Sequence, residues 1–380
     1  MSLKFIHILL MIILSINIIS CKFMRNLYTN SEDIYKKLDK LTKKCPSILN
    51  KNFYREKETN KTMKYYTINY KKNQKKNPTK IIMLFGEHAR ELISPELAIY
   101  IIENLCSIEY PKIKSLYSKK TLKSILSENI ITIIPLVNEY GRKIIEKDIN
   151  HCQRNNENDV DLNRNYPLNW IKDDSINSGK KPLSEWETRS INNIIKMINP
   201  KLLISTHSGD FKMYMPFGYK NLTFDNFDNN LKNMYNILNE LNEKYCKCKF
   251  GPISNLYKFN VSGNLIDYAY EILKVKYVFA FEIFYLDNNN FFNNLYKSNN
   301  DFVFDYDNYV NGNNNNSFVQ MKKINNSIMK KLSYNNLKSL FYQCISLKNP
   351  LDKNVFDKIL LNWNNAFFQL FTMIYKIENN

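Results

Sequence analysis

Histidine is scarce in this sequence, although proteins use it more often than any other side chain to bind metal ions. The 380 residues contain only four histidines. His7 lies in the apolar stretch that begins the chain, and His151 lies in a polar segment. Only His88 and His207 follow apolar, strand-like runs, so they remain as the candidate histidine ligands.

The sequence also lacks the set of four ligands that a cysteine-based structural zinc site needs. The close pair Cys246 and Cys248 has no second cysteine pair or nearby histidine to complete such a site. Six cysteines beyond the N-terminal stretch suit disulfide bonds in an oxidising compartment, and they allow 15 pairings among which the sequence does not choose. These six are Cys45, Cys106, Cys152, Cys246, Cys248 and Cys344.

Acidic residues are outnumbered by basic ones, 36 to 54, which gives a net charge of +18. A charge of this size is typical of proteins that bind polyanions such as nucleic acid. Here the excess is mainly lysine scattered among asparagine and isoleucine, and the chain lacks a compact stripe of basic and aromatic residues. We therefore expect no nucleic-acid partner.

The apolar run at the N-terminus is short for a membrane-spanning helix but long enough for the core of a signal peptide. It follows Lys4 and ends at the small residues Ser20 and Cys21. We predict a signal peptide over residues 1–21 and a mature protein in the secretory pathway or outside the cell. A retained segment would instead anchor the protein, and without one we expect no stable membrane association.

Apolar strand-like runs alternate with amphipathic helices along the chain. The alternation predicts an α/β protein, a single α/β/α domain with a central mixed, twisted β-sheet. An Asn-rich tract over 286–334 reads as a low-complexity insertion between the main part of the domain, 22–285, and its C-terminal part, 335–380. The predicted strands are 64–70, 81–85, 129–137, 201–206 and 276–283, and the predicted helices lie within 28–49, 95–108 and 350–377.

Three polar residues stand at the ends of predicted strands. His88 follows the strand 81–85, His207 follows 201–206, and Glu282 lies near the end of 276–283. In open α/β sheets, ligands and catalytic groups cluster at the carboxyl ends of the strands. We therefore expect these three side chains to share one crevice.

His88 and Glu91 are three residues apart, so on a helical turn both side chains can reach one ion. A pair at this spacing also occurs by chance on solvated helix faces. His207 is the candidate third ligand, and two histidines with one carboxylate leave a fourth zinc position open for water. This arrangement is typical of catalytic zinc, and we predict one zinc ion per chain.

Several ordered motifs together resemble those of the zinc metallocarboxypeptidases of the carboxypeptidase A type. The resemblance runs from about Tyr28 through Glu282 and returns in the closing helix. The matching segments are GEHARE (86–91), RNNENDVDLNRNYP (154–167), SEWET (184–188), THS (206–208), MPFGY (215–219), SGNLIDY (262–268) and FAFE (279–282).

The resemblance assigns His88, Glu91 and His207 to zinc, in agreement with the spacing. It implies that Glu282 is the general base, which takes a proton from the attacking water and delivers it to the leaving amine. It also implies that Arg154 stabilises the negative charge that develops on the carbonyl oxygen.

The same resemblance implies three substrate-binding residues. Asn163 and Arg164 resemble the clamp for the terminal carboxylate of the substrate, a contact that would restrict cleavage to the last residue. Arg90 is similar to a residue that assists substrate binding further along the peptide. The N-terminal part departs from the pancreatic members of this family: only 66 residues lie between Cys21 and His88, about what the catalytic domain needs, so we expect no inhibitory pro-domain of the pancreatic type.

The substrate loop departs from the family pattern. Phe259 stands where these enzymes usually carry a substrate-binding tyrosine, and Tyr257 could replace it only if the loop is rearranged. Ile266 stands at the position that selects the terminal side chain, and an apolar residue there resembles the branch that removes hydrophobic C-terminal residues.

The leading hypothesis is a secreted zinc metallocarboxypeptidase that hydrolyses the C-terminal bond of peptides or proteins and prefers hydrophobic C-terminal residues. We expect a monomer whose partners are peptide or protein C-termini. One alternative is a deglutamylase that trims acidic tails, which Ile266 disfavours because a cationic pocket residue would be expected. Another is a catalytically inactive binding protein on the same fold.

Overall fold

The computed structural model describes residues 27–71, 74–147, 149–257, 259–286 and 342–379. The predicted signal peptide over 1–21 lies outside these residues, as does almost all of the predicted insertion over 286–334. The domain boundaries that depend on these two segments therefore stay predictions.

Eight strands form one sheet: β1 Leu49–Arg55, β2 Thr62–Ile68, β3 Thr79–Phe85, β4 Asn129–Ile134, β5 Leu202–His207, β6 Phe211–Met215, β7 Lys249–Pro252 and β8 Tyr277–Ile283. Their order across the sheet is β1, β2, β4, β3, β5, β8, β6, β7. The central strands β4, β3, β5 and β8 run parallel, while β2 and β6 pair antiparallel on either side of them. The predicted mixed sheet is confirmed.

Nine α-helices surround the sheet in the part of the chain that the structure describes: α1 Ser31–Lys44, α2 Ile93–Cys106, α3 Lys119–Glu128, α4 Glu139–Glu146, α5 Trp186–Ile198, α6 Asn229–Leu241, α7 Ile253–Leu256, α8 Leu265–Glu271 and α9 Lys353–Asn379. The first helix begins where its sequence predicts, because the Asn30 side chain caps the backbone N–H of Asp33. Within the described ranges, no helix combines the length and apolarity that a membrane span needs.

The central strands are apolar on both sides, as a sheet covered by two helical layers requires. Along β3, the side chains of Ile81, Met83 and Phe85 join one core, while Ile82 and Leu84 join the other. Helices α1, α2, α3, α6 and α9 supply the first core, and α5 and α8 supply the second. The α/β/α layering is therefore as predicted.

Three strands were not predicted, and each has a local reason. β1 carries mostly exposed or half-exposed polar residues, so its alternation is weak. β7 has only four residues and contains Gly251 and Pro252, which normally indicate a turn. β6 follows β5 after three residues, too soon to be separated from it by periodicity alone.

The six cysteines form three disulfides. Cys45 with Cys106 joins the end of α1 to the end of α2, and Cys152 with Cys344 joins two segments that are 192 residues apart. Cys246 pairs with Cys248, which excludes a metal-binding role for this close pair in the oxidised protein.

Candidate active site

Parallel strands bring two of the predicted site residues side by side. β5 and β8 pair in a register that places His207 directly opposite Glu282. On its other side β5 pairs with β3, whose last residue, Phe85, lies opposite Thr206. The carboxyl ends of the three strands therefore share one edge of the sheet, where functional groups of α/β folds gather.

A tight turn carries His88 and Glu91 from the end of β3 to this edge. Gly86 has a φ of +65°, and a Cβ built there would lie 2.7 Å from Leu136 and 3.0 Å from Pro95. Only glycine fits such a close approach without strain. The backbone N–H of Glu91 donates to the His88 carbonyl at 3.3 Å, so the pair lies on a turn before α2 rather than in a helix.

The structure brings His88, Glu91 and His207 together. His88 Nδ1 lies 2.8 Å from Glu91 Oε1, His207 Nδ1 lies 3.1 Å from Glu91 Oε2, and the two Nδ1 atoms are 3.1 Å apart. All three residues are buried, with exposures of 3% or less. They are the one such group of possible metal ligands among the described residues, with their ligand atoms within 4.8 Å of one another.

Both imidazoles are held from behind by a second polar group. His88 Nε2 lies 3.0 Å from Asp161 Oδ1, and His207 Nε2 lies 2.8 Å from Ser205 Oγ and 3.4 Å from Glu87 Oε2. Since an ionised carboxylate only accepts, Asp161 favours the tautomer of His88 with its proton on Nε2. Carboxylates in this outer position are typical of metal-binding histidines.

This arrangement fits a zinc ion. With the protons on Nε2, the two Nδ1 atoms, 3.1 Å apart, each keep a lone pair, and each lies within 3.1 Å of a Glu91 oxygen. Burial alone would lower the pKa of His207, but the Glu91 and Glu87 carboxylates raise it to about 10, so the site attracts a cation, either a second proton on His207 or a metal ion that takes the place of that proton. Two histidine nitrogens and a carboxylate oxygen are a donor set of catalytic zinc.

Asp161 also orients Arg154. Arg154 Nε donates to Asp161 Oδ2 at 2.9 Å, and Arg154 Nη1 lies 3.5 Å from Glu91 Oε1. Although burial alone would lower the pKa of the arginine, the charges of Asp161 and Glu91 raise it. Sequence reasoning missed Asp161; its signal was an acidic residue inside the DLNRN motif, between two predicted site residues.

Glu282 is half-buried and shares the cavity with the cluster. Its Oε2 accepts a hydrogen bond from the backbone N–H of Asp210 at 3.2 Å. Removal from water and the nearby Glu91 charge raise the pKa of Glu282 to about 8. A cation bound at the cluster would act in the opposite direction and favour the ionised carboxylate.

Asn163 and Arg164 lie together on another wall of the cavity. Asn163 Oδ1 accepts from the backbone N–H of Leu265 at 2.9 Å, and Arg164 Nη1 donates to the Asn163 carbonyl at 2.7 Å. Gly263 has a φ of +64°, and a Cβ there would lie 2.5 Å from the Arg164 carbonyl oxygen. The loop before α8 therefore packs directly on this pair.

Four buried apolar residues also line the cavity and belong to one hydrophobic cluster; they are called the recess below. They are Ile266, Ile253, Val261 and Ala280, all with exposures of 7% or less. The whole cavity has a volume of about 240 Å³. Of the sequence-predicted site residues, it is lined by His88, Glu91, Arg154, Asn163, Arg164, His207, Tyr257, Ile266 and Glu282.

Tyr257 and Phe259 both line the cavity, but they differ in exposure and contacts. The Tyr257 hydroxyl lies 2.7 Å from that of Tyr214 and donates to Asp210 Oδ2 at 2.9 Å. Phe259 is 63% exposed, with its ring 5.3 Å from the Tyr257 ring. The structure therefore places a phenylalanine at the cleft mouth and turns the nearest tyrosine towards Asp210.

Asp210 is a second residue that sequence reasoning missed, because a lone aspartate after a histidine motif has no distinctive spacing. Its Oδ2 accepts from Lys212 Nζ and the Tyr214 hydroxyl at 2.7 Å each, and its Oδ1 accepts from the Phe211 backbone at 2.9 Å. Although burial alone would raise the pKa of Asp210, its bond to Lys212 holds the pKa below the usual value. The carboxylate is thus ionised and already bound.

Arg90 differs from the other predicted residues because it does not line the cavity. It is half-buried, and its Nη1 donates to the Cys152 carbonyl at 3.4 Å.

Lys348, which sequence reasoning missed, does line the cavity. No feature of the sequence distinguishes Lys348, because it is one of many lysines and follows the Asn-rich tract.

Most of the chain matches the sequence model of a known protein family. The model of a family described as zinc carboxypeptidase matches residues 34–297. Zinc carboxypeptidase A 1 of Anopheles gambiae is 25% identical over 270 residues, which cover 68% of this chain. The chain spans 60% of the length of that relative.

Solved structures share the fold. Bovine thrombin-activatable fibrinolysis inhibitor, solved in complex with tick carboxypeptidase inhibitor, has a TM-score of 0.56 and 21% identity, over 70% of this chain and 88% of that one. The carboxypeptidase A from Helicoverpa armigera has a TM-score of 0.56 and 19% identity, over 69% and 66% of the two chains.

Proposed function

The chain belongs to the zinc carboxypeptidase family, and from this premise we propose that it hydrolyses the last peptide bond of peptides or proteins. The observation that carries the proposal is the buried cluster of His88, Glu91 and His207 beside Glu282. We propose these three as the ligands of one zinc ion per chain. A zinc ion there would polarise the scissile carbonyl and lower the pKa of a water molecule to about 7.

Glu282 is the proposed general base. It takes a proton from the attacking water and returns a proton to the nitrogen of the departing residue, so that both products leave with the correct charge. Its position opposite His207 on the neighbouring strand supports this role, because that register places the carboxylate beside the proposed ligands.

Arg154 is the proposed stabiliser of the oxyanion. Its side chain lines the cavity and is held by Asp161 Oδ2 at 2.9 Å, so the guanidinium is oriented before the reaction begins. A fixed positive charge stabilises the developing negative charge without further reorganisation. Asp161 acts as a positioning residue for both His88 and Arg154.

The Asn163 and Arg164 side chains are the proposed clamp for the terminal carboxylate. The guanidinium offers two parallel N–H groups, and the loop that carries both residues is held by Leu265 and Gly263. A clamp at this place would accept only a free C-terminus, since an internal peptide bond carries no carboxylate.

We propose a preference for hydrophobic C-terminal residues. The recess around Ile266 is apolar, and burying an apolar terminal side chain there removes its surface from water. Asp210 does not favour a terminal lysine or arginine, because Lys212 and two tyrosine hydroxyls already bind its carboxylate. Arg90, outside the cavity, contributes only through its charge.

Two other functions stay open as alternatives. A deglutamylase would need a cation free to bind a terminal glutamate side chain; Lys212 is bound to Asp210 and does not line the cavity, whereas Lys348 lines it, so the test of this alternative is release of a terminal Glu. An inactive binding protein would keep the fold, and the exposed phenylalanine at position 259 keeps this possibility testable.

We propose that the protein works as a monomer in the secretory pathway or outside the cell, with an uncleaved N-terminal segment as the route to membrane attachment. The pairing of six cysteines in three disulfides supports an oxidising compartment. A secretion assay with and without residues 1–21 tests the location; retention of both forms in the cytosol would contradict it.

A panel of blocked dipeptides that end in Phe, Leu, Lys or Glu tests the activity, with and without a chelator. We expect release of Phe and Leu and loss of release after chelation. Release of Glu alone would favour the deglutamylase, and no release from zinc-loaded protein would favour the binding protein.

A further inference from the structure

We propose that Lys348 gives this enzyme a preference for peptides with an acidic side chain upstream of the scissile bond, at one of the two residues before the terminal one. The inference rests on the proposed function, because it assigns a substrate class to the same cleft. Its basis is a lysine ammonium group that lies in the cleft without a carboxylate partner in the described part of the chain.

The position of Lys348 in the cleft depends on Gly209. A Cβ built on Gly209 would lie 2.7 Å from Lys348 Nζ and 3.1 Å from its Cγ. The lysine side chain therefore lies across the glycine backbone, two residues after His207. A larger residue at position 209 would displace the ammonium group from the cavity that the proposed zinc ligands line.

The segment that carries Lys348 is held firmly. Cys344 is bonded to Cys152, and the backbone N–H of Leu286 donates to the Leu347 carbonyl at 2.9 Å. Asn349, which is fully buried, accepts from the Ile93 backbone at 3.0 Å and donates to the carbonyls of Arg90 and Ile345 at 2.8 Å each. The ammonium group is thus presented from a fixed backbone, which lowers the entropy cost of binding an anion.

From the same bonds we infer that Lys348 lies on the upstream side of the proposed zinc site, away from the proposed clamp. They attach its segment to residues 90–93 and 152, whereas the terminal clamp is built on residues 163–164 and 263–265. A substrate whose terminal carboxylate lies at Arg164 and whose scissile bond lies at the zinc ligands must extend away from the clamp. Its preceding residues would then pass the Lys348 wall.

The charged groups that act on Lys348 are of both signs. Burial and the charges of Arg90 and Arg154 lower its pKa, while Glu91 and Glu282 act in the opposite direction. Glu91 is already bound by both histidines, and Arg154 is bound by Asp161. Arg90 does not line the cavity, so it adds positive charge near Lys348, and Lys348 supplies the donor at this wall.

A panel of blocked tripeptides ending in Phe tests the proposal, with Glu, Gln or Lys at either residue before the Phe. The quantity measured is the ratio of kcat/KM for the Glu peptide to that for the Gln peptide. We expect a ratio of about 10 at one of the two positions at low salt, falling as salt is added. Lys348→Gln should bring this ratio to about 1, and Lys348→Glu should favour the Lys peptide.

Lys143→Gln is the matched control, because Lys143 is an exposed lysine on α4 whose partner is Glu139. It should leave the ratio of the wild-type protein unchanged. Lys348→Arg keeps the charge and should keep the preference for Glu.

The outcomes separate the two proposals. If no peptide is cleaved by zinc-loaded protein, the proposed function fails. If peptides are cleaved with a wild-type ratio near 1, or if Lys348→Gln keeps the wild-type ratio, the role of Lys348 is overturned. A uniform loss on all peptides would mean that Lys348 acts on the reaction and not on the upstream side chain, since its charge also lowers the pKa of Glu282, and this would contradict the proposal too.

Discussion

Two regions of the cleft differ in how their charged side chains are bound. One is the floor, formed by the proposed zinc ligands with Asp161, Arg154 and Glu282, and the other is the wall that carries Lys348. On the floor, Glu91 and Asp161 each hold two other polar residues of the site. On the wall, the Lys348 side chain lines the cavity, and no ion pair joins it to a carboxylate among the described residues. Groups that must keep one geometry are bound on several sides, whereas groups that await a ligand keep their donors free.

This contrast indicates which substitutions should impair the reaction and which should change the choice of substrate. A residue held by several partners on the floor fixes the position of its neighbours, so its loss affects every substrate. A free charge on a wall acts only when the substrate carries the opposite charge.

The sharpest test of the floor is Glu282→Gln. We expect kcat to fall by about 1,000-fold, because the amide cannot accept the proton of the attacking water. Zinc content should stay at the wild-type level, since Glu282 is not one of the three proposed ligands. The measurement is kcat on a blocked dipeptide ending in Phe, with Glu271→Gln on α8 as the matched control; equal losses in both variants would remove Glu282 from its role.

Asp161→Asn should give the next largest effect. The amide can no longer hold His88 Nε2 and Arg154 Nε as an ionised carboxylate does. We expect zinc affinity to fall by about 10- to 100-fold, measured by competition with a chromogenic chelator. Asp225→Asn, at an exposed position that does not line the cavity, serves as the control; unchanged zinc affinity in Asp161→Asn would show that the outer bond is dispensable.

Ile266→Asp would place a free carboxylate in the recess, in contrast to the already bound Asp210. We expect the ratio of kcat/KM for Lys-ending over Phe-ending peptides to rise by about tenfold or more. Ile266→Asn adds similar polarity without the charge and should not favour Lys. If both variants keep the wild-type ratio, residue 266 does not select the terminal side chain.

The smallest expected effect concerns an ion pair far from the cleft. Glu56 accepts from Arg189 Nε at 3.1 Å and Nη2 at 3.2 Å. Although burial would raise the pKa of Glu56, this pair and the backbone N–H groups of Glu58 and Thr59 lower it to about 2. Because the folded pKa lies below the unfolded value, the stabilisation is present above about pH 4.3 and is lost as the pH falls towards 2.

Glu56→Gln should therefore lower the free energy of unfolding by about 1 kcal/mol at pH 7. The difference from wild type should shrink between pH 4 and pH 2.5, as measured by urea unfolding. Glu243→Gln is the control, since Glu243 is exposed and its hydrogen-bond partner is the neutral side chain of Asn239. A deficit that stays constant with pH would contradict the ionic origin, and peptidase activity at pH 7 should change in neither variant.

Much of the floor could be predicted from the sequence, because its residues follow apolar central strands or stand in distinctive motifs. His88, His207 and Glu282 were predicted because they stand at the ends of three apolar strands, and the parallel sheet brings these ends together. The sheet edges were harder to predict, since β1 is polar and β7 has four residues. Periodicity is weak where a strand buries little surface.

The residues that orient the site could not be predicted in the same way. Asp161 and Asp210 act through hydrogen bonds to residues that only the fold brings near, and neither spacing nor burial pattern identifies such partners. Lys348 depends on a disulfide between residues 192 positions apart and on the absence of a side chain at Gly209. Its role is a property of tertiary structure alone.

The most direct test of the central claim is a zinc titration of the protein followed by two readouts, metal content and release of Phe from a blocked dipeptide. We predict about one zinc ion per chain, loss of activity when a chelator removes it, and recovery of activity with one equivalent of zinc. His207→Gln should bind zinc weakly and stay inactive under the same conditions. Full activity in metal-free protein, or unchanged zinc affinity in His207→Gln, would contradict the account.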